Sequence, residues 1–528
     1  MNWLRIVLLV TIGSLLWCSN AGAAAPTIEK VVSNPASDGN KGEYIVINGS
    51  EIGSLGGWDL RSGGRAVTLP NVTSNDPVAV SENPRTTAIL TEYETVGFNG
   101  YFPLTTDGFS LVLVSPEGDV EHEIAVPSLG TQEAYYPENP VGVGSQGVSE
   151  FDFEPHDVTH MIPFVLPDSP EIPREVIAAA DEQILISGYE LSDPVIVDLL
   201  VERYQAGVDV RVVIDGRPVG GQEEMEIQAL DTLSTFGIPI RTLTGDRDRY
   251  RFHHPKFAVV DDSAIVMTEN WKPAGTGGQS SRGWGVFVAD PSVTEDLRTV
   301  FMSDFAWRDT IAWERESKTA TSVESAPQSA PYSTSVHPPD PIEGSVTVVT
   351  TPDKGESAVI ELIKTARSEI RIQQVSMSDP DFPLIQAIIE AANRGVDVTI
   401  LLDNSWYVQD ENMVIRDQLF SAVDNPENVR VELHESTDRF EKIHTKGIII
   451  DNHTAVVGSM NWNNVSMREN REVMVVIESA DAAEFYTGVF QDDWNTPGQR
   501  TPIGFLFLTI CVWIIAGLIA RYRIEIAA

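Results

Sequence analysis

Cysteine is almost missing from this chain. Its 528 residues hold two, Cys18 and Cys511, each inside an apolar terminal run, so the long stretch between them has no disulfide framework and no thiolate metal site. Lysine is scarce too: nine of the 36 basic residues are lysine, against 77 Asp and Glu, for a formal net charge of −41. That balance argues against a broad basic face for nucleic acid. It does not exclude a nuclease, because at molar salt the Debye length falls to about 3 Å and whole-protein repulsion is screened. An acidic, lysine-poor surface suits saline, halophilic surroundings.

What is present is enough to fold. A hydrophobic share of 42% can fill real cores, and the length accommodates roughly three domains of ordinary size. Residues 1–25 combine Arg5, an apolar core over 6–17 and the small-residue run AGAAAP, the layout of a secretory signal peptide cleaved near residues 23–25. Residues 502–520 carry no charge and are followed by Arg521 and Arg523, which predicts a spanning helix with a short cytoplasmic C-terminus and an extracellular body.

From residue 26 to about 135 the chain is rich in glycine and β-formers, with runs such as EYIVING and FSLVLVSPEGDV cut by turn residues, and predicts a small all-β sandwich. The order GEYIVINGSEIGSLGGWDL then DGFSLVLVSPEGDV, centred on Trp58, resembles the lamin-tail domain, an immunoglobulin-like sandwich. Asn48 and Asn71 lie there in N-glycosylation sequons.

The rest contains an internal repeat. ILISGYELSD (184–193) answers to IRIQQVSMSD (370–379), AGVDVRVVID (206–215) to RGVDVTILLD (394–403), and HHPKFAVVDD (253–262) to IHTKGIIIDN (443–452), at offsets of 186, 188 and 190. Helix and strand patterns alternate in both copies, so the expected class is α/β: two similar domains, 155–313 and 342–497, joined by a Ser/Pro-rich linker at 314–341 and paired across a pseudo-twofold axis.

The third matched segment carries the chemistry. If residues 444–450 form a strand, His444 and Lys446 project to one face, Asp451 falls at the strand end, and the returning AVVGSMNW brings Ser459 and Asn461 to the same spot. The first copy repeats the intervals with His254, Lys256 and Asp261, followed by Asn270 and Trp271. A cation, small hydroxyl and amide donors and an imidazole are the parts of a phosphate site.

Both windows resemble the HxK(x)4D motif of the phospholipase D superfamily, and the second adds its G-S-x-N continuation as Gly458, Ser459 and Asn461. The resemblance implies two α/β domains sharing one active site and metal-free, cofactor-free transfer of a phosphodiester group. His254, Lys256, Asp261, His444, Lys446 and Asp451 would be the catalytic set, with His254 as nucleophile and His444 as acid. Asn270, Ser459 and Asn461 would bind the substrate phosphate, and Glu472 would orient a histidine. The first copy departs from the pattern: MTENW replaces VGSMNW and is one residue shorter, Glu269 stands nearby, and RGWGVFV offers no carboxylate where NREVMVV offers Glu472. These departures predict a less efficient His254 half.

Three functions fit these residues. One is an exported, membrane-tethered phosphodiesterase acting on phospholipid, another a nuclease kept open by the cluster RDRYRFHH (247–254), and the third a non-enzymatic binding protein with a degraded first motif. Oligomeric state is not legible. Asp215 and Asp403, ending equivalent strands, are either structural or at the cleft rim.

Overall fold

The computed structural model describes residues 25–496 apart from 36–38, 49–53, 75, 131–132, 138–141, 147–148, 150, 244–248, 315–334 and 379–380. The expected signal peptide (1–25, all but its last residue), the spanning helix (502–520) and most of the 314–341 linker lie outside these residues. Among the described residues no helix is long and apolar enough to cross a membrane.

The N-terminal module is built from two sheets. One is ordered around the paired strands Thr27–Val32 and Tyr44–Asn48, the other around the strands Asp59–Ser62, Asp107–Val114 and Val120–Ser128. Along these strands the inward positions alternate, with Leu111, Leu113, Ile124 and Val126 buried, and one core joins them to Ile28, Ile45, Ile47 and Trp58. The predicted sandwich is therefore present. Its strands continue past residue 135 to Val143–Ser145, and Val78–Ser81 pairs parallel with Glu94–Gly97 across the short helix Pro84–Leu90. This strand order does not establish an immunoglobulin-like fold, and the lamin-tail likeness stays a resemblance of sequence.

Each repeat supplies three parallel strands, Gln183–Gly188, Asp209–Asp215 and Ile240–Leu243 in the first, Glu369–Gln374, Asp397–Asp403 and Val429–His434 in the second. An antiparallel set follows: Phe257–Val260, Ser263–Met267 and Ser281–Val288, answered by Lys446–Ile450, Thr454–Gly458 and Glu472–Glu478. These strands are apolar on both sides because both faces are covered. Where His156–Leu166 pairs antiparallel with Ile342–Thr351, the halves join into one 16-stranded sheet.

Helices Pro194–Ala206 and Glu224–Phe236 cover the outer face of the first half, and Pro383–Asn393 and Gln409–Ala422 that of the second. Between the halves lies a shared core that includes Val259, Trp284 and Leu297 from one and Val457, Val475 and Tyr486 from the other. Trp284 stacks on Tyr486 with ring centroids 4.7 Å apart.

Two buried arginines at equivalent positions tie the halves together. Arg282 meets Asp168 of its own half at 2.6 Å and Asp493 of the other at 3.0 Å. Arg471 meets Asp353 of its own half at 2.8 Å and Asp304 of the other at 3.0 Å. Paired in this way, the charges avoid the cost of lone burial.

Candidate active site

His254 and His444 do not lie within strands. Each precedes one, and Lys446 opens the strand Lys446–Ile450. The expected shared face of a strand is therefore replaced by a tighter device: Lys256 Nζ donates to the His254 carbonyl and Lys446 Nζ to the His444 carbonyl, both at 2.8 Å. The other half holds each motif by its backbone, His254 N donating to Arg471 O at 2.9 Å and His444 N to Arg282 O at 2.8 Å. Asp215 accepts from His253 N at 2.6 Å and Asp403 from Ile443 N at 3.0 Å, so these two carboxylates fix the segments that carry the histidines.

The carboxylates cross between halves. Glu472, from the second repeat, meets His254 Nδ1 of the first at 2.7 Å. Glu472 also accepts from Ser466 Oγ and from Asn470 Nδ2. Burial works to raise its pKa, but His254, Lys256 and the Ser459 hydroxyl outweigh it and hold the carboxyl below its ordinary value. Glu269, from the first repeat, brings Oε2 within 3.2 Å of His444 Nδ1. The carboxylate that the first repeat lacks at this strand position is therefore one that would face His444, while His254 has its partner in Glu472.

Burial lowers the pKa of both imidazoles; for His444 the nearby Lys446, Lys442 and Lys256 lower it further. Burial also draws Lys256 down to about 8 and, with Lys256 adjacent, Lys446 well below its ordinary value. Lys446 Nζ also lies 3.4 Å from the Thr268 carbonyl of the other half, and each lysine acts on both imidazoles, so the four groups share one site. Tyr189 closes one wall, its ring 4.6 Å from the His254 ring.

Other expected site residues stand elsewhere. Asp261 accepts from the backbone N–H groups of Asp181, Glu182 and Gln183, and Asp451 from those of Arg367, Ser368 and Glu369. Both adopt left-handed backbone at φ 52° in hairpin turns, a conformation Asp tolerates well. Each carboxylate thus caps a strand start of its own half. Ser459 is fully buried, and its hydroxyl accepts from Val473 N at 3.0 Å. Thr268 accepts from Trp284 N in the same way, so the Gly-Ser step of the first copy is replaced by Met267-Thr268, and the one-residue shortening falls in the hairpin turn. Asn270 donates to Glu190 at 2.6 Å, while Asn461 sits half-buried.

The family described as "Cardiolipin synthase, PLD-like domain" matches residues 174–305 and 359–494, just over half of the chain. The chain belongs to this PLD-like family. It is 33% identical over 141 residues to a phospholipase D of Rickettsia bellii, covering 26% of this chain and 64% of that protein. It is 24% identical over 330 residues to the probable cardiolipin synthase YwiE of Bacillus subtilis, covering 58% of this chain and 59% of that protein. The chain thus spans about three fifths of the length of these relatives. The crystal structure of a Haemophilus influenzae phosphatidylserine synthase aligns with a TM-score of 0.49 at 14% identity, over 64% of this chain and 87% of that one.

Within this PLD-like pair of domains, sequence reasoning left Glu269, Tyr189 and the two arginines without roles. The arginines did leave a signal, since Arg282 and Arg471 occupy matching places in the repeat, as do Asp304 and Asp493. Glu269 showed only as a departure from the second copy, where its counterpart is Met460.

Proposed function

We propose that this chain is a phosphodiesterase or phosphatidyltransferase that works through a phosphohistidine. The observation that carries the reading is the crossed pair of histidine–carboxylate contacts beside two buried lysines. Glu472 holds the Nδ1 side of His254 and leaves Nε2 to attack phosphorus, while His444 protonates the leaving oxygen and then activates water or an acceptor alcohol. Lys256 and Lys446 stabilise the charge on the non-bridging oxygens.

Phospholipid is the proposed substrate class, supported by the relatives named phospholipase D and cardiolipin synthase. The described part of the basic cluster at 247–254 favours a nuclease little, since Arg249 is bound to Asp309 and Arg251 to Glu469. Export and a membrane tether rest on the terminal apolar runs and belong to the same proposal. The test offers purified protein a phosphatidylcholine, a p-nitrophenyl phosphodiester and single-stranded DNA, with chelator and with or without an acceptor alcohol. Turnover of the lipid with an acid-labile phosphoenzyme supports the reading; turnover of DNA alone, or a requirement for divalent metal, refutes it.

A further inference from the structure

Gly283 holds, in the first repeat, the strand position that Glu472 holds in the second. The register sets this equivalence: Trp284 N donates to Thr268 Oγ1 and Val473 N to Ser459 Oγ, each at 3.0 Å, and Gly283 and Glu472 stand one residue before these donors. Glycine has no carboxylate to offer. Glu269 fills the space instead, for a Cβ built on Gly283 would lie 2.3 Å from Glu269 Cγ and 2.7 Å from its Oε1. His444 Nδ1 is buried without a hydrogen bond among the described residues, and Glu269 Oε2 faces it at 3.2 Å.

We infer that Glu269, moved onto the neighbouring strand end, is the positioning carboxylate of His444, and that this move makes the two halves of the site chemically unequal. Glu472 is surrounded by donors and stays charged. Glu269 Oε1 is buried without a hydrogen bond among the described residues, and burial raises the Glu269 pKa to about 7 in spite of Lys446 and Lys442. A proton held on Glu269 against Nδ1 leaves His444 with Nε2–H directed outward, the form an acid needs.

The inference rests on the phosphohistidine reading and deepens it. In the first step the bond from His254 Nε2 to phosphorus forms and the bond from phosphorus to the leaving oxygen breaks. The Nε2 proton of His444 passes to that oxygen as the Glu269 proton moves to Nδ1. In the second step water gives a proton to His444 Nε2, its oxygen bonds to phosphorus, the P–N bond breaks, and the Nδ1 proton returns to Glu269.

The experiment compares the single-turnover rate of the first step on an alkyl phosphodiester, which needs an acid, with that on a p-nitrophenyl phosphodiester, which does not. Glu269→Gln should slow the alkyl substrate on the order of 100-fold and the nitrophenyl substrate by less than about tenfold. Glu472→Gln should slow both. Glu269→Ala combined with Gly283→Glu should recover much of the alkyl rate lost in Glu269→Ala alone, because the new carboxylate occupies the freed space. Equal losses on both substrates in Glu269→Gln would overturn the inference while leaving the phosphodiesterase reading intact. A wild-type protein inactive on both substrates would remove that reading and the inference with it.

Discussion

Replacing Glu226 with glutamine should stabilise this protein at high pH and leave it unchanged at low pH. Glu226 and Asn412 hold equivalent places: Leu191 N donates to Glu226 Oε1 and Met377 N to Asn412 Oδ1, each at 3.2 Å. Asn412 also donates Nδ2 to the Val375 and Asp403 carbonyls, which an ionised carboxylate cannot do. Glu226 is 2% exposed, and burial is the main cause that raises its pKa from 4.5 to about 8. Because the folded pKa lies above the unfolded one, the folded state binds more protons across this window. Stability is therefore full below about pH 4.5 and falls as pH rises toward 8. At about 1.4 kcal/mol per unit, the upper limit is roughly 4 to 5 kcal/mol, and solvent relaxation reduces the expected difference to about 2 kcal/mol. Urea unfolding followed by circular dichroism at pH 5, 7 and 9 measures it. Asp215, raised to about 7 mainly by burial, titrates in both proteins, and because its charge is one of the causes that raise Glu226 it adds to the difference in the same direction. A difference between Glu226→Gln and wild type that stays flat with pH, or grows in favour of wild type, refutes the reasoning.

Asp451→Asn should lower the unfolding free energy by about 1 kcal/mol, as for loss of a backbone cap, with kcat changed less than about tenfold; a collapse of kcat at unchanged stability would return Asp451 to the chemistry. His254→Ala and His444→Ala should each cut turnover by on the order of 1000-fold or more, and the double variant should lose little beyond either, as for groups acting as a unit; independent, multiplying losses in a kinetic cycle would contradict a shared site. Arg471→Met should cost about 3 kcal/mol in urea unfolding because it breaks two buried ion pairs at once, leaving Asp304 to Arg249 alone and Asp353 to the hydroxyls of Ser149 and Thr350; a variant as stable as wild type would show that the arginine does not hold the halves together.

Legible in the amino-acid order alone were the repeat, its α/β class and the four side chains His254, Lys256, His444 and Lys446. These are local patterns, set by periodicity and by spacing within a few residues, and they survive in any reading of the chain. That Asp261 and Asp451 turn back onto the N–H groups of their own half was not legible, because the motif records their spacing and not their direction. Nor was the matter of which carboxylate serves which histidine. His254 and Glu472 are 218 positions apart and belong to different repeats, so a copy-by-copy reading assigns the carboxylate to the wrong imidazole. Glu269 is the clearest case. Its role follows from an empty Cβ position at Gly283 on the adjacent strand and from a buried Nδ1 on the opposite half, two facts that exist only once the halves close on each other.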